Sequence, residues 1–137
     1  MWQFLLYPDG TADPWATWYS QQDNRVRATH NRVIGYLKDR ERYDWKLPYV
    51  DKIEGVAERY EIRIRADVQH RFFGFFCKNG HEFFILVACT HKGKRYKPTN
   101  ALDTANARLK EIKGGKKTAI ICQPPQGARA VSEQRLS

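Results

Sequence analysis

Between Arg59 and Lys97 the chain reads RYEIRIRADVQHRFFGFFCKNGHEFFILVACTHKGKRYK. Period-2 alternation from Tyr60 to Ala66 places Tyr60, Ile62, Ile64 and Ala66 on one side of a strand and Glu61, Arg63 and Arg65 on the other. Asp67 to His70 reads as a turn, and Arg71 to Cys77 as a strand rich in phenylalanine. Lys78-Asn79-Gly80 is a hairpin signal, because Asn and Gly tolerate positive φ. His81 to Thr90 is nearly continuous in apolar residues, the pattern of a central strand covered on both faces. Three consecutive strands joined by tight turns predict an antiparallel meander with arginines on one face.

The flanking sequence supplies the rest of the elements. Trp2 to Tyr7 reads as a strand at a sheet edge, closed by the Pro8-Asp9-Gly10 turn. Asp13-Pro14 is a helix start, with Asp13 as N-cap, and a short helix follows to about Gln21. Val26, His30, Val33, Ile34 and Leu37 form one apolar stripe of a second helix, ending near Glu41. His30 lies in that stripe and is expected in the interior. Tyr43 to Val56, with Pro48 and Gly55, shows no period and reads as a connecting loop. Pro98 to Lys113 is helical, with Leu102, Ala105, Leu109 and Ile112 as its stripe, and Gly114-Gly115 ends it. Ala119 to Cys122 is a candidate late strand, followed by a tail expected to pack weakly. The sum is an α+β fold: a two-layer arrangement of about four antiparallel strands, two N-terminal helices and a C-terminal helix on one sheet face. Residues 1–115 form the domain and 116–137 a C-terminal extension.

Charge narrows the partner. The net charge is +9, and its distribution is uneven. Residues 1–60 carry nine Lys/Arg and nine Asp/Glu, residues 61–97 eight against three, and residues 98–137 seven against three. A basic excess confined to the second part of the chain suits a polyanion, most often nucleic acid. Three cysteines, an odd number without a CxxC pair, argue against a disulfide framework or a structural zinc site. The histidines (His30, His70, His81, His91) lie on separate elements, so no metal is expected, and no phosphate loop or dinucleotide fingerprint occurs. Phe83 to Cys89 is far shorter than the roughly 20 residues of a membrane span, and MWQFLLYPDG lacks the basic start of a signal peptide. A cytoplasmic location, without membrane contact, is expected.

The candidate chemistry is therefore cationic. Arg63 and Arg65 share a strand face, Arg71 opens the next strand, and His91, Lys92, Lys94, Arg95, Tyr96 and Lys97 lie in a loop after the last strand. In a meander these places can converge at one end of the sheet. Arginine forks and lysine point charges bind phosphate and stabilise the added charge of a phosphorane transition state. His91, Tyr96 or a lysine can then move protons. The plain alternative is a solvated basic strand face with a basic loop.

Arg59-Tyr60-Glu61-Ile62-Arg63-Ile64, Arg71 at the start of the next strand, Lys92 to Lys97, Pro98-Thr99, and Ala105 with Arg108 together resemble the RelE/HigB-type toxins of bacterial type II toxin–antitoxin systems. The similarity runs through about residues 1–113 in element order and 55–110 in motif. It implies a RelE-like fold and ribosome-dependent cleavage of mRNA without a cofactor. In that chemistry the 2′-OH attacks the adjacent phosphate, leaving a cyclic phosphate and a 5′-OH. It implies catalytic roles for Arg71, Lys92, Lys94, His91 and Tyr96, RNA contacts for Arg63, Arg65, Arg95 and Lys97, and a cognate antitoxin, helix-turn-helix in type. Glu61 stands where some members carry a lysine and where the HigB-like branch carries glutamate. Two other readings of the same fold are a non-catalytic RNA- or protein-binding module and a toxin acting on topoisomerase.

Overall fold

The computed structural model describes residues 1–78 and 80–125. It is α+β, with three helices and one mixed sheet of seven strands. The order along the chain is β1 (Gln3–Leu6), α1 (Pro14–Ser20), α2 (Asn24–Leu37), β2 (Val50–Lys52), β3 (Tyr60–Arg65), β4 (Gln69–Phe76), β5 (Glu82–Lys92), β6 (Arg95–Lys97), α3 (Ala101–Lys113) and β7 (Ile120–Cys122). Across the sheet the order is β2-β3-β4-β5-β1-β7, and β6 pairs with β5. The meander β3-β4-β5 stands at its centre, antiparallel throughout.

Four features depart from the sequence expectations. The sheet is mixed rather than antiparallel, because β1 lies parallel to β5, from Gln3 opposite Glu82 to Leu6 opposite Ile85. β1 is thus an interior strand, not an edge, with β7 antiparallel on its other side. Parallel neighbours have no connecting turn to announce them. Second, the stretch read as a loop holds β2, whose Asp51 pairs with Glu61. Third, the basic loop is a β-hairpin: β5 runs on to Lys92, turns at Gly93 with φ +63°, and returns as β6. Fourth, the helices occupy both sheet faces, making three layers. α1 and α2 cover the side bearing Phe4, Ile62, Ile64 and Phe72, while α3 covers the side bearing Phe73, Phe84 and Leu86. In α3 the residues fully out of solvent are Ala101 and Ala105, where small side chains seat the helix close to the sheet. The expected late strand forms as β7, and the tail beyond residue 125 lies outside the described residues.

One irregularity sets the faces of β5. Phe73 of β4 pairs with Val87, but the next residue, Gly74, pairs with Ile85, so Leu86 is an extra residue. This β-bulge reverses parity along β5. Phe83 and Ile85 face α1 and α2, whereas Val87 and Cys89 join Phe84 and Leu86 on the α3 side. Gly74 makes the bulge possible. A Cβ there would run into the Phe84 carbonyl oxygen and lie 2.6 Å from Phe83 Cε2. The buried Phe72 and Phe73, facing opposite ways, each contribute roughly 1.5–3 kcal/mol through burial.

The two N-terminal helices start on aspartates. The Asp13 carboxylate accepts from Ala16 N at 3.0 Å and the Asp23 carboxylate from Val26 N at 2.9 Å. α2 buries His30 completely. Trp15 Nε1 donates to His30 Nε2 at 3.0 Å, which leaves Nδ1 to donate to Asn31 Oδ1 at 3.1 Å. Both ring nitrogens are satisfied with the imidazole neutral. Burial pulls its pKa down to about 4, opposed by the Asn31 hydrogen bond.

Gly74→Ala is expected to lower stability by about 1–3 kcal/mol, seen as a lower urea midpoint at unchanged m. His30 sets a pH dependence. Between about 4 and the ordinary 6.5 the unfolded chain binds the His30 proton and the native state does not. Its stabilisation is therefore complete above 6.5 and falls on acidification, by up to about 1.4 kcal/mol per pH unit. His30→Gln should flatten the slope of unfolding free energy between pH 6.5 and 5, while His70, also lowered by burial, keeps a remnant in the same sense.

Candidate nucleic-acid interface

Register brings the arginines together. Arg63 of β3 is directly opposite Arg71 of β4, and Arg71 is opposite Cys89 of β5. One rung further, Arg65 is opposite Gln69, Gln69 opposite His91, and His91 opposite Tyr96 of β6. These rungs share the α3 side of the sheet, beyond the end covered by the helix. His91 belongs to this side because of the bulge at Leu86; simple alternation from Phe83 would put it on the other.

Two like charges facing each other across a strand pair are unfavourable. Here a carboxylate lies between them. Glu61 Oε2 accepts from Arg63 Nε at 2.7 Å and is 3.1 Å from Arg71 Nε. Its Oε1 accepts from the Tyr96 hydroxyl at 3.0 Å. Arg63 also donates through Nη2 to Asp51 Oδ2 at 2.9 Å. The side chains of Glu61 and Arg71 are 5% and 6% exposed, that of Arg63 19%. Two guanidinium groups and two carboxylates thus form a formally neutral, mostly buried cluster.

Arg71 is the incomplete member. Its Nε and Nη1 are buried without a hydrogen-bond partner, the Nε contact with Glu61 being ionic only. Nη2 reaches His91 Nδ1 at 3.5 Å, the outer limit of a hydrogen bond. Burial lowers the Arg71 pKa, with Glu61 opposing and Arg63 and Arg65 adding to the fall. An arginine with unmatched buried donors is a site that an anion would complete.

Tyr96 packs edge-on against Phe73, 4.8 Å between ring centroids, and 4.9 Å from the half-buried His91 ring. Burial, then the Glu61 charge and the hydrogen bond to it, push the Tyr96 phenol up to about 12. Burial and Glu61 likewise push the Cys89 thiol to about 12, so it stays protonated.

The structure therefore gathers Arg63, Arg71 and Tyr96 around Glu61, with His91 against Arg71 and Tyr96 and the exposed Arg65 beside them. Lys92 and Arg95 pair with each other and Lys97 pairs with Thr90, which by alternation turns these three to the opposite face of the β5–β6 hairpin. Lys94 lies in the exposed turn. The side chains of Arg65, Lys92, Lys94, Arg95 and Lys97 make no ion pair among the described residues and form a cationic rim. Glu61 and Asp51 complete the cluster, although neither is a candidate from sequence. Glu61 carried a signal: its parity places a carboxylate among presented arginines. Asp51 carried none, since three residues are too few to show a strand period.

Among the described residues no three His, Cys, Asp or Glu side chains converge as metal ligands. A separate cleft of about 440 Å³ opens where β1 ends and β5 continues, lined by residues including Tyr7, Trp18 and Ala88. Its one cation, Arg108, already donates to Leu86 O at 2.8 Å and lies over the Tyr7 ring. The open cations and the unmatched guanidinium lie elsewhere, at the sheet end. No helix among the described residues is long and apolar enough to cross a membrane. The chain matches no protein-family model, no curated protein and no solved structure.

Tyr96→Phe keeps the ring contacts and removes the hydroxyl. It is expected to cost about 1 kcal/mol and to delete the phenol titrating near 12 from the absorbance titration at alkaline pH.

Proposed function

We propose that this protein is an RNA-cleaving toxin of the RelE/HigB type, a metal-independent endoribonuclease acting on mRNA at the ribosome and held in check by a cognate helix-turn-helix antitoxin. The observation that carries the reading is Arg71: a buried guanidinium with unmatched donors, beside a histidine and a tyrosine, at the foot of a cationic hairpin. A phosphodiester supplies the missing acceptors. The 2′-oxygen attacks the adjacent phosphorus as its proton leaves, and the P–O5′ bond breaks as the 5′-oxygen takes up a proton. A 2′,3′-cyclic phosphate and a 5′-OH result. Arg71 meets the charge that develops on the non-bridging oxygens. His91 and Tyr96 are the groups at hand for proton transfer. The exposed Arg65, and Lys94 in the exposed hairpin turn, hold the backbone beside that phosphate, and Lys92, Arg95 and Lys97, on the other face of the hairpin, add to the field that draws it in. Arg63, tied to two carboxylates, holds the frame in which Arg71 sits. The cytoplasm is where such a substrate is met.

A binding module of the same fold is the second reading, supported by the charge balance of the inner cluster, in which Glu61 and Asp51 already offset Arg63 and Arg71. The two separate on one measurement: ends of mRNA mapped in cells expressing the protein with and without a candidate antitoxin. Cuts within translated codons are expected, reduced about 10²-fold or more by Arg71→Ala and by less in Lys92→Ala. Intact mRNA with ordinary growth leaves the binding module, and DNA damage signalling without mRNA breaks points to a topoisomerase-directed toxin.

A further inference from the structure

The Glu61 carboxylate has no room for a substrate. Its two oxygens already take Arg63 Nε, Arg71 Nε and the Tyr96 hydroxyl, and its side chain is 5% exposed. A group so enclosed acts through its neighbours. It holds Arg71 by the inner nitrogen, so the outer nitrogens, the buried Nη1 and the Nη2 that reaches His91 Nδ1 at 3.5 Å, are the ones no carboxylate takes. It also takes the hydrogen bond of Tyr96, which fixes the orientation of that ring between Phe73 and His91.

We propose that Glu61 is the positioning residue of this site, holding Arg71 by its inner nitrogen towards the scissile phosphate and fixing the Tyr96 ring through its hydroxyl. The proposal rests on the ribonuclease reading. The Glu61 carboxylate contacts Arg63 and Arg71 through one oxygen and accepts the Tyr96 hydroxyl through the other, so one buried group sets where both the guanidinium and the phenol point. Glu61 does this without touching RNA.

The test compares the full-length wild type with Glu61→Gln, Glu61→Asp, Tyr96→Phe and Arg71→Ala, each shown folded by circular dichroism at the assay temperature. Two readouts are taken: cleavage of mRNA on programmed ribosomes, resolved into kcat and KM, and phenol titration by ultraviolet absorbance. Glu61→Gln should lower kcat by about 10²-fold with KM within about twofold, since the rim cations are untouched. The same variant should bring the highest phenol down from about 12 towards the ordinary 10. Glu61→Asp retains the charge one methylene short of its partners. It should keep the raised phenol yet lose most of kcat, a split that mere loss of folded protein does not produce. If Arg71→Ala and Tyr96→Phe abolish cleavage while Glu61→Gln cleaves at the wild-type rate, or if the phenol titration of Glu61→Gln matches wild type, the positioning role is overturned and the ribonuclease reading stands. If the wild type cuts no mRNA, both fall.

Discussion

The extra residue that β5 carries opposite the Phe73–Gly74 link changes the parity of everything after it in that strand. Before it, Phe83 and Ile85 fill the core under α1 and α2. After it, Val87 and Cys89 fill the core under α3, and His91 comes up beside Arg71. Without the bulge an apolar strand would still form, but its polar end would face away from the arginines of β3 and β4. The bulge depends in turn on one missing Cβ, at Gly74, where the backbone of β5 passes too close for any side chain. Core packing and site assembly therefore hang on the same local geometry.

Much of this was legible in the residues. Alternation from Tyr60 to Arg65 assigned the buried Ile62 and Ile64 and the outward Arg63 and Arg65 to their faces, because a six-residue strand is long enough for a period of two. Asp13 marked the first helix start because caps are local chemistry. What escaped was non-local or short. β1 reads as a strand, but nothing in Trp2 to Tyr7 names its partners. β2 and β6 have three residues each, below the length at which a pattern stands out. α3 reads as an amphipathic helix from either side of a sheet, so its layer was hidden. The bulge had one faint sign, a glycine within a run of phenylalanines, which marks either a kink or a close approach.

Electrostatically the site is graded. Its interior, where charge is expensive, is balanced pair by pair: Arg63 with Asp51 and Glu61, Arg71 with Glu61. Its periphery, where water screens, carries unpaired cations on the β5–β6 hairpin and at Arg65. On the ribonuclease reading, the outer charges would draw a polyanion at long range and Arg71 would meet it at short range. Attraction and alignment are thus assigned to different residues, and the net charge of +9 says little about the second.

The interior position of β1 bears on how the chain is made. Gln3 pairs with Glu82 and Phe4 with Cys122, so β1 has neither neighbour until β5 and then β7 have been made. Until then Trp2, Phe4 and Leu6 have nowhere in the sheet to go, while the β3–β4 hairpin can already form. The sheet closes on its oldest segment last. For a protein read as an enemy of translation, synthesis through β7 then precedes the closed sheet, and on that reading the interval is one in which an antitoxin would meet it.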